Sequence, residues 1–227
     1  MSLVAKKGAN FDPVPEGSHH AVCFGVIDLG VQVNTKFNNS SPKVQILWEL
    51  VNEVSEYEGE ETRRYVSKDY TLSLSDKAKL REHLESWRGK SFTEAELQGF
   101  DLTSILGKNC LIQVLHSDSG YANVASVMSL PKGMPVEESE REHIIFEFNE
   151  KQPIEGLADL PEFIQNKIKN SPSFVDVFGE IPEEKIEKRN VQRDARPKVG
   201  SGAASSDKRQ VTRRQAPASE EPRTDVF

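Results

Sequence analysis

The chain has 227 residues, of which 36% are hydrophobic and 29% charged, and its formal net charge is −7 from 29 Lys+Arg against 36 Asp+Glu. No apolar run approaches the roughly 20 residues a membrane-spanning helix needs, and the opening MSLVAKKGANFDPVPEG has lysines with no apolar stretch behind them, so neither a span nor a secretory signal is expected. The charge is segregated: residues 185–214 carry ten Lys/Arg and three Asp/Glu, a local +7, and residues 185–227 carry eleven against six, which leaves −12 on residues 1–184.

Residues 1–17, with Gly8, Pro13, Pro15 and Gly17, read as an irregular arm. HHAVCFGVIDLGVQV, from His19, is a long first strand in which Gly25 and Gly30 predict a bend or bulge. A polar loop over 34–42 leads to a second strand, Lys43–Leu50. There Val44, Ile46, Trp48 and Leu50 share one face, Lys43, Gln45 and Glu49 share the other, and Leu47 breaks the alternation. The acidic stretch 52–61 suits a hairpin loop before a third strand over about 62–74.

Ser75 stands where an N-cap belongs, and Leu80, Leu84 and Trp87 recur at helical spacing before Gly89. Thr93 and Glu96 form a capping-box pair closed by Gly99, and Leu102, Ile105 and Leu106 make a further turn ending at Gly107. A fourth strand over 109–116, the turn SDSG and a fifth strand over 121–130 follow. Beyond Met134, residues 143–148 are a candidate sixth strand, and 157–169 a helix with Leu160, Phe163, Ile164 and Ile168 on one face, both packed on the preceding domain.

This order, three strands, a helical insert and two strands, predicts a mainly β fold, a five-stranded OB-fold barrel with its helix between strands three and four. The expected organisation is an arm (1–17), an OB core (18–134), a small strand and helix extension (135–181) and a basic tail (182–227). The tail is too poor in apolar residues to offset its ordering entropy and is expected to be disordered.

No nucleophile, phosphate-loop or dinucleotide motif occurs, so a non-catalytic protein without cofactor is expected. His19, His20, Cys23, Cys110 and His116 lack metal-ligand spacing, and the two cysteines read as small buried apolar residues of a protein in a reducing cytoplasm. Binding of single strands needs aromatic faces for bases and cations for phosphates. Strands two and three and the turn before strand five supply Lys43, Arg63, Arg64, Tyr65, Lys68 and Tyr121. Trp48 and Tyr70 are secondary candidates, since both alternate with core-type residues. The acidic tip with its terminal aromatic, Glu220, Glu221, Asp225, Val226 and Phe227, is a candidate docking segment for partner proteins.

The segments SKDYTLSL and LESWRGKSFTEAEL, within a region from about Gly17 to Met134 that ends GYANVASVMSLPKGM, resemble a group of phage and prophage single-stranded-DNA-binding replication proteins. The resemblance implies an OB-fold core that protects single strands in phage DNA replication or recombination, in the cytoplasm of a bacterial host, and brings no catalytic motif with it. Two other readings stay open: a protein-interaction adaptor on an OB scaffold, and a phage nucleotide-binding or nucleotide-sequestering protein.

Overall fold

The long apolar stretch that begins near Ser18 becomes the strand on which the rest assembles. In a computed structural model, which describes residues 12–35, 38–57, 60–147 and 155–178, β1 (Gly17–Asn34) has partners on both sides. Its start pairs antiparallel with β4 (Asn109–His116), and from Ala21 onward it pairs antiparallel with β2 (Asn39–Tyr57). β3 (Glu60–Thr71) pairs with β2, β5 (Ala122–Ser129) with β4, and β6 (Ile144–Phe146) joins β1 in parallel at Gly25–Ile27.

The order is β3-β2-β1-β4-β5, with β6 off this path. The chain is thus mainly β, a six-stranded sheet with few helices, and among the described residues no backbone ladder joins its end strands β3 and β5. Register shifts between Cys23 and Gly25 and between Asp28 and Gly30 match the two glycines that predicted bulges. Gly30 has φ 68°, and a Cβ on Gly25 would stand 2.9 Å from Leu47 Cδ1, so each glycine answers a separate steric demand.

Several sequence expectations shift. The second strand runs over Asn39–Tyr57 instead of stopping at 43–50. The polar stretch after Asn34 and the acidic one after Asn52 are largely hairpin arms, because cross-strand hydrogen bonds hold polar residues in a ladder as readily as apolar ones. The third strand ends at Thr71, three residues early. α1 (Lys79–Arg88) begins after Ala78, not Ser75; the Ser75 carbonyl instead accepts the Ala78 N–H in the turn before it. The capping box on α2 (Glu94–Gln98) forms as read, with Thr93 and Glu96 bonding each other's backbone, and Leu102–Ile105 is a 3₁₀ turn capped by Asp101.

Both faces of the central strands are covered. On one face Val44, Ile46, Trp48, Leu50, Val66 and Tyr70 meet Leu80, Leu84 and Trp87 of α1 and the inner residues of β4 and β5. On the other, Phe24, Ile27, Leu29 and Leu47 meet Phe146, Leu157, Leu160, Ile164, Ile168 and Phe174. Leu47, the exception in the alternation, is thereby explained: it belongs to this second core.

Gln45 and Glu49, read as solvent-facing, are buried at 2% and 1% exposure under the same extension. The single predicted helix over 157–169 is two, α3 (Glu155–Ala158) and α4 (Glu162–Lys169), separated at Pro161, which lacks the N–H a continuous helix would use. Phe163, assigned to the buried face, points outward, and α5 (Pro172–Phe178) continues the layer.

Candidate nucleic-acid interface

Both end strands are antiparallel to neighbours that are themselves antiparallel to β1, so β3 and β5 run parallel to each other. Side chains bridge the gap that no ladder spans. Lys68 Nζ donates to the Val124 carbonyl. Tyr70 Oη lies 2.8 Å from His83 Nδ1, and His83 is also hydrogen-bonded to the Ala125 backbone, so a buried imidazole on α1 ties β3 to β5. Burial, then Lys68, lowers the His83 pKa and favours the neutral ring; Lys79 adds to the effect, and Glu82 opposes it. Burial also lowers the pKa of Lys68, with Lys79 as a second cause.

The arm closes one end of this seam. Arg64 donates to the Asp12 carbonyl, the His116 ring is 2.7 Å from the Val14 carbonyl, and the His116 N–H donates to Glu16 at 2.6 Å. Val14 is buried in the inner core, so residues 12–17, read as outside the domain, contribute to it.

This geometry separates the predicted site residues into three groups. Arg64 and Lys68 on β3 and Tyr121, next to the start of β5, flank the seam, whereas Tyr65, in register with Glu49 and three residues from Lys68, is on the outer face of β3. Tyr65 and Tyr121 each precede the Lys68 to Val124 tie by three residues, about 10 Å of strand. The arm sets the same level independently, since only two residues separate its contacts with Arg64 and with His116, and His116 pairs with Ala122. Tyr121 is 63% exposed and Tyr65 38%. Tyr65 stands edge-on to Phe24 and carries the Arg141 guanidinium 5.0 Å from its ring centre.

Lys43 and Arg63 lie apart, on the outer face. Lys43 donates to Thr71 Oγ1 at 2.7 Å. Arg63 is surrounded by Glu49, Glu137 and Glu140 at 3.8, 3.9 and 3.0 Å, and Arg141 joins the group through Glu49 at 3.4 Å. Two guanidinium groups against three carboxylates hold the extension on the sheet and leave this patch without positive charge for a phosphate.

Trp48 and Tyr70 form the third group, and here the stacking assignment is corrected. At 1% and 2% exposure neither ring is accessible to a base; Trp48 packs against Tyr70 at 6.5 Å and Trp87 at 6.1 Å. Trp48 alternates with Val44 and Ile46, which are buried with it, whereas Leu72, two residues from Tyr70, is exposed.

His83, Arg141 and Asn109 were not singled out in the sequence. His83 sits one position before Leu84 in the helical repeat, and only the approach of β5 gives it a role. Asn109 exchanges hydrogen bonds with the backbone of Glu137, 2.8 and 3.0 Å, and bonds His20 at 2.7 Å, which fastens the start of the extension. Cys23 and Cys110 are free and buried, and burial pushes the Cys23 thiol up to about 12, which leaves it unreactive. Among the described residues no His, Cys, Asp and Glu group is arranged to hold a metal ion, and no helix is long and apolar enough to cross a membrane. The tail and its tip, Glu220, Glu221, Asp225, Val226 and Phe227, lie outside the described residues. Comparison with known proteins finds no matching family model, curated protein or solved structure.

Proposed function

We propose that this protein binds single-stranded DNA without catalysis, in phage DNA replication or recombination within a bacterial host, and that its sheet is an OB-type barrel whose seam is bridged by side chains instead of a ladder. The strand order, the helix that follows the third strand and packs against both β3 and β5, and the side-chain bridges support the barrel. The observation that supports the binding role is that Tyr65 and Tyr121, both accessible, stand at one level on the two end strands, with Arg64 and Lys68 on the same strand as Tyr65. The acidic aromatic tip of the tail would engage replication or recombination proteins.

Titration of labelled oligo(dT) and of a duplex at two salt concentrations tests this. Preference for the single strand that weakens steeply with salt is expected; equal affinity for both, or none for either, overturns it. A second reading, a protein-interaction adaptor, has its own observation: Leu115 and Tyr121 are both exposed on the β4–β5 hairpin, which bears no cation between them. That reading requires no DNA affinity at any salt.

A further inference from the structure

The Tyr65 ring is gripped by a part of the chain that the sequence placed outside the OB core. Phe24, 3% exposed in the outer core, stands 5.8 Å from it at an interplanar angle of 84°, and the Arg141 guanidinium lies over it at 5.0 Å. Arg141 is also 5.8 Å from the Phe24 ring. The three centres thus form a nearly equilateral triangle, and seen from Tyr65 both partners lie to one side of the ring. Tyr65 is nonetheless 38% exposed, and the side away from this pair is the one left for a further planar group. Arg141 is itself fixed. Its Nη2 donates to the Arg63 carbonyl at 2.7 Å, its Nε is 3.4 Å from a Glu49 carboxylate oxygen, and its N–H and carbonyl both bond the Ser139 hydroxyl at 3.1 Å. Glu49 is the residue opposite Tyr65 in the β2–β3 register, so the guanidinium is tethered at the level of the ring it covers.

From this stack we infer that Arg141 is a positioning residue, which holds Tyr65 as a platform for one base of the bound strand and so makes the extension part of the binding site. The inference rests on the single-strand reading above and adds to it a residue from outside the expected OB core. A ring that is loose on an exposed strand must be ordered before a base can stack on it, and that ordering subtracts from the affinity. Tyr65 is already ordered, by Phe24 at one side and by a flat cation over its face. Arginine suits the task because its planar guanidinium can cover a ring while its N–H groups reach a carbonyl and a carboxylate, which the single ammonium of a lysine does less well. Glu49 already meets the charge of Arg141, so Arg141 acts through Tyr65 and not on a phosphate.

The experiment is a double-mutant cycle on the full chain, with the affinity for labelled oligo(dT) measured at several salt concentrations for Arg141→Gln, Tyr65→Ala and the two together. Tyr65→Ala should weaken binding about 5- to 150-fold, the worth of one stacked base. Arg141→Gln should weaken it about 2- to 5-fold, the worth of an exposed cation–ring contact, should add nothing in the Tyr65→Ala chain, and should leave the slope of log affinity against log salt unchanged. Melting curves check that the variants are folded. Arg141→Lys, which keeps a charge beside Glu49 without the flat contact, should show the same dependence on Tyr65 and serves if Arg141→Gln is unfolded. No loss from Tyr65→Ala, no loss from the Arg141 variants, an equal Arg141 loss with and without Tyr65, or an Arg141→Gln slope flattened by about 0.7, the share of one phosphate contact, overturns the positioning role and leaves the single-strand reading in place. No binding of oligo(dT) by the unaltered chain overturns both.

Discussion

Glu49 shows how far one residue's role depends on what folds over it. Its carboxylate is 1% exposed, accepts the Glu140 N–H at 2.8 Å and faces both Arg63 and Arg141. Removing it leaves Arg63 with Glu137 and Glu140 but takes the Glu49 carboxylate from Arg141 and the acceptor from the Glu140 N–H, which costs about 1–3 kcal/mol. Glu49→Ala should therefore lower the urea midpoint by an amount corresponding to that loss, whereas an unchanged midpoint would mean that water already solvates the cluster. The aromatic residues divide by the same criterion. Trp48→Ala removes a ring at the centre of the inner core and should cost about 3–5 kcal/mol in the same unfolding measurement. Tyr121→Ala should leave stability within about 0.5 kcal/mol and weaken oligo(dT) binding by about 1–3 kcal/mol. A stability loss for Tyr121→Ala with affinity intact would place that ring in a packing role.

The seam makes a distinct prediction about elements. β3, α1 and β5 are joined through His83, a ring 4% exposed that faces Tyr70, Lys68, Lys79, Glu82 and the Ala125 backbone. Its pKa is lowered in the folded chain, so the unfolded chain takes up the proton first as the solution is acidified. The contribution of the neutral ring is fully present above the unfolded value of about 6.5 and is lost as pH falls below it, by at most about 1.4 kcal/mol per pH unit. Urea unfolding between pH 8 and 5 should show this slope in the unaltered chain and a flatter one in His83→Gln. Identical slopes would show that His83 does not govern the acid limb. On the outer face of the sheet, Gly25 stands at the β1 bulge with the Leu47 side chain where its Cβ would be. Gly25→Ala would press a methyl against Leu47, at a cost of about 1–3 kcal/mol.

Considered whole, the molecule has one sheet with a core on each face, and the outer core exists only because the extension covers it. A chain ending at residue 134 would expose Phe24, Ile27, Leu29 and Leu47 together, and it should aggregate or melt well below the full chain. A chain ending at residue 180 keeps that core and should melt with the full chain; a stable, monodisperse product ending at 134 would contradict this account. The sequence by itself determined the strands β1, β4 and β5, the capping box at Thr93, the bulge glycines and the inner face of Val44, Ile46 and Leu50, because these follow from alternation, local hydrogen bonding and backbone sterics over a few residues. The sequence also marked Leu47 as anomalous without revealing its partner. Only the tertiary structure decided that Gln45 and Glu49 are buried, that Arg63 is committed to acids while Lys68 is tied to a carbonyl, and that Tyr65 packs against Phe24 and Arg141. The reason is physical: burial and charge pairing are set by segments about 50 to 100 residues away in the chain, and no local period records which of them will arrive.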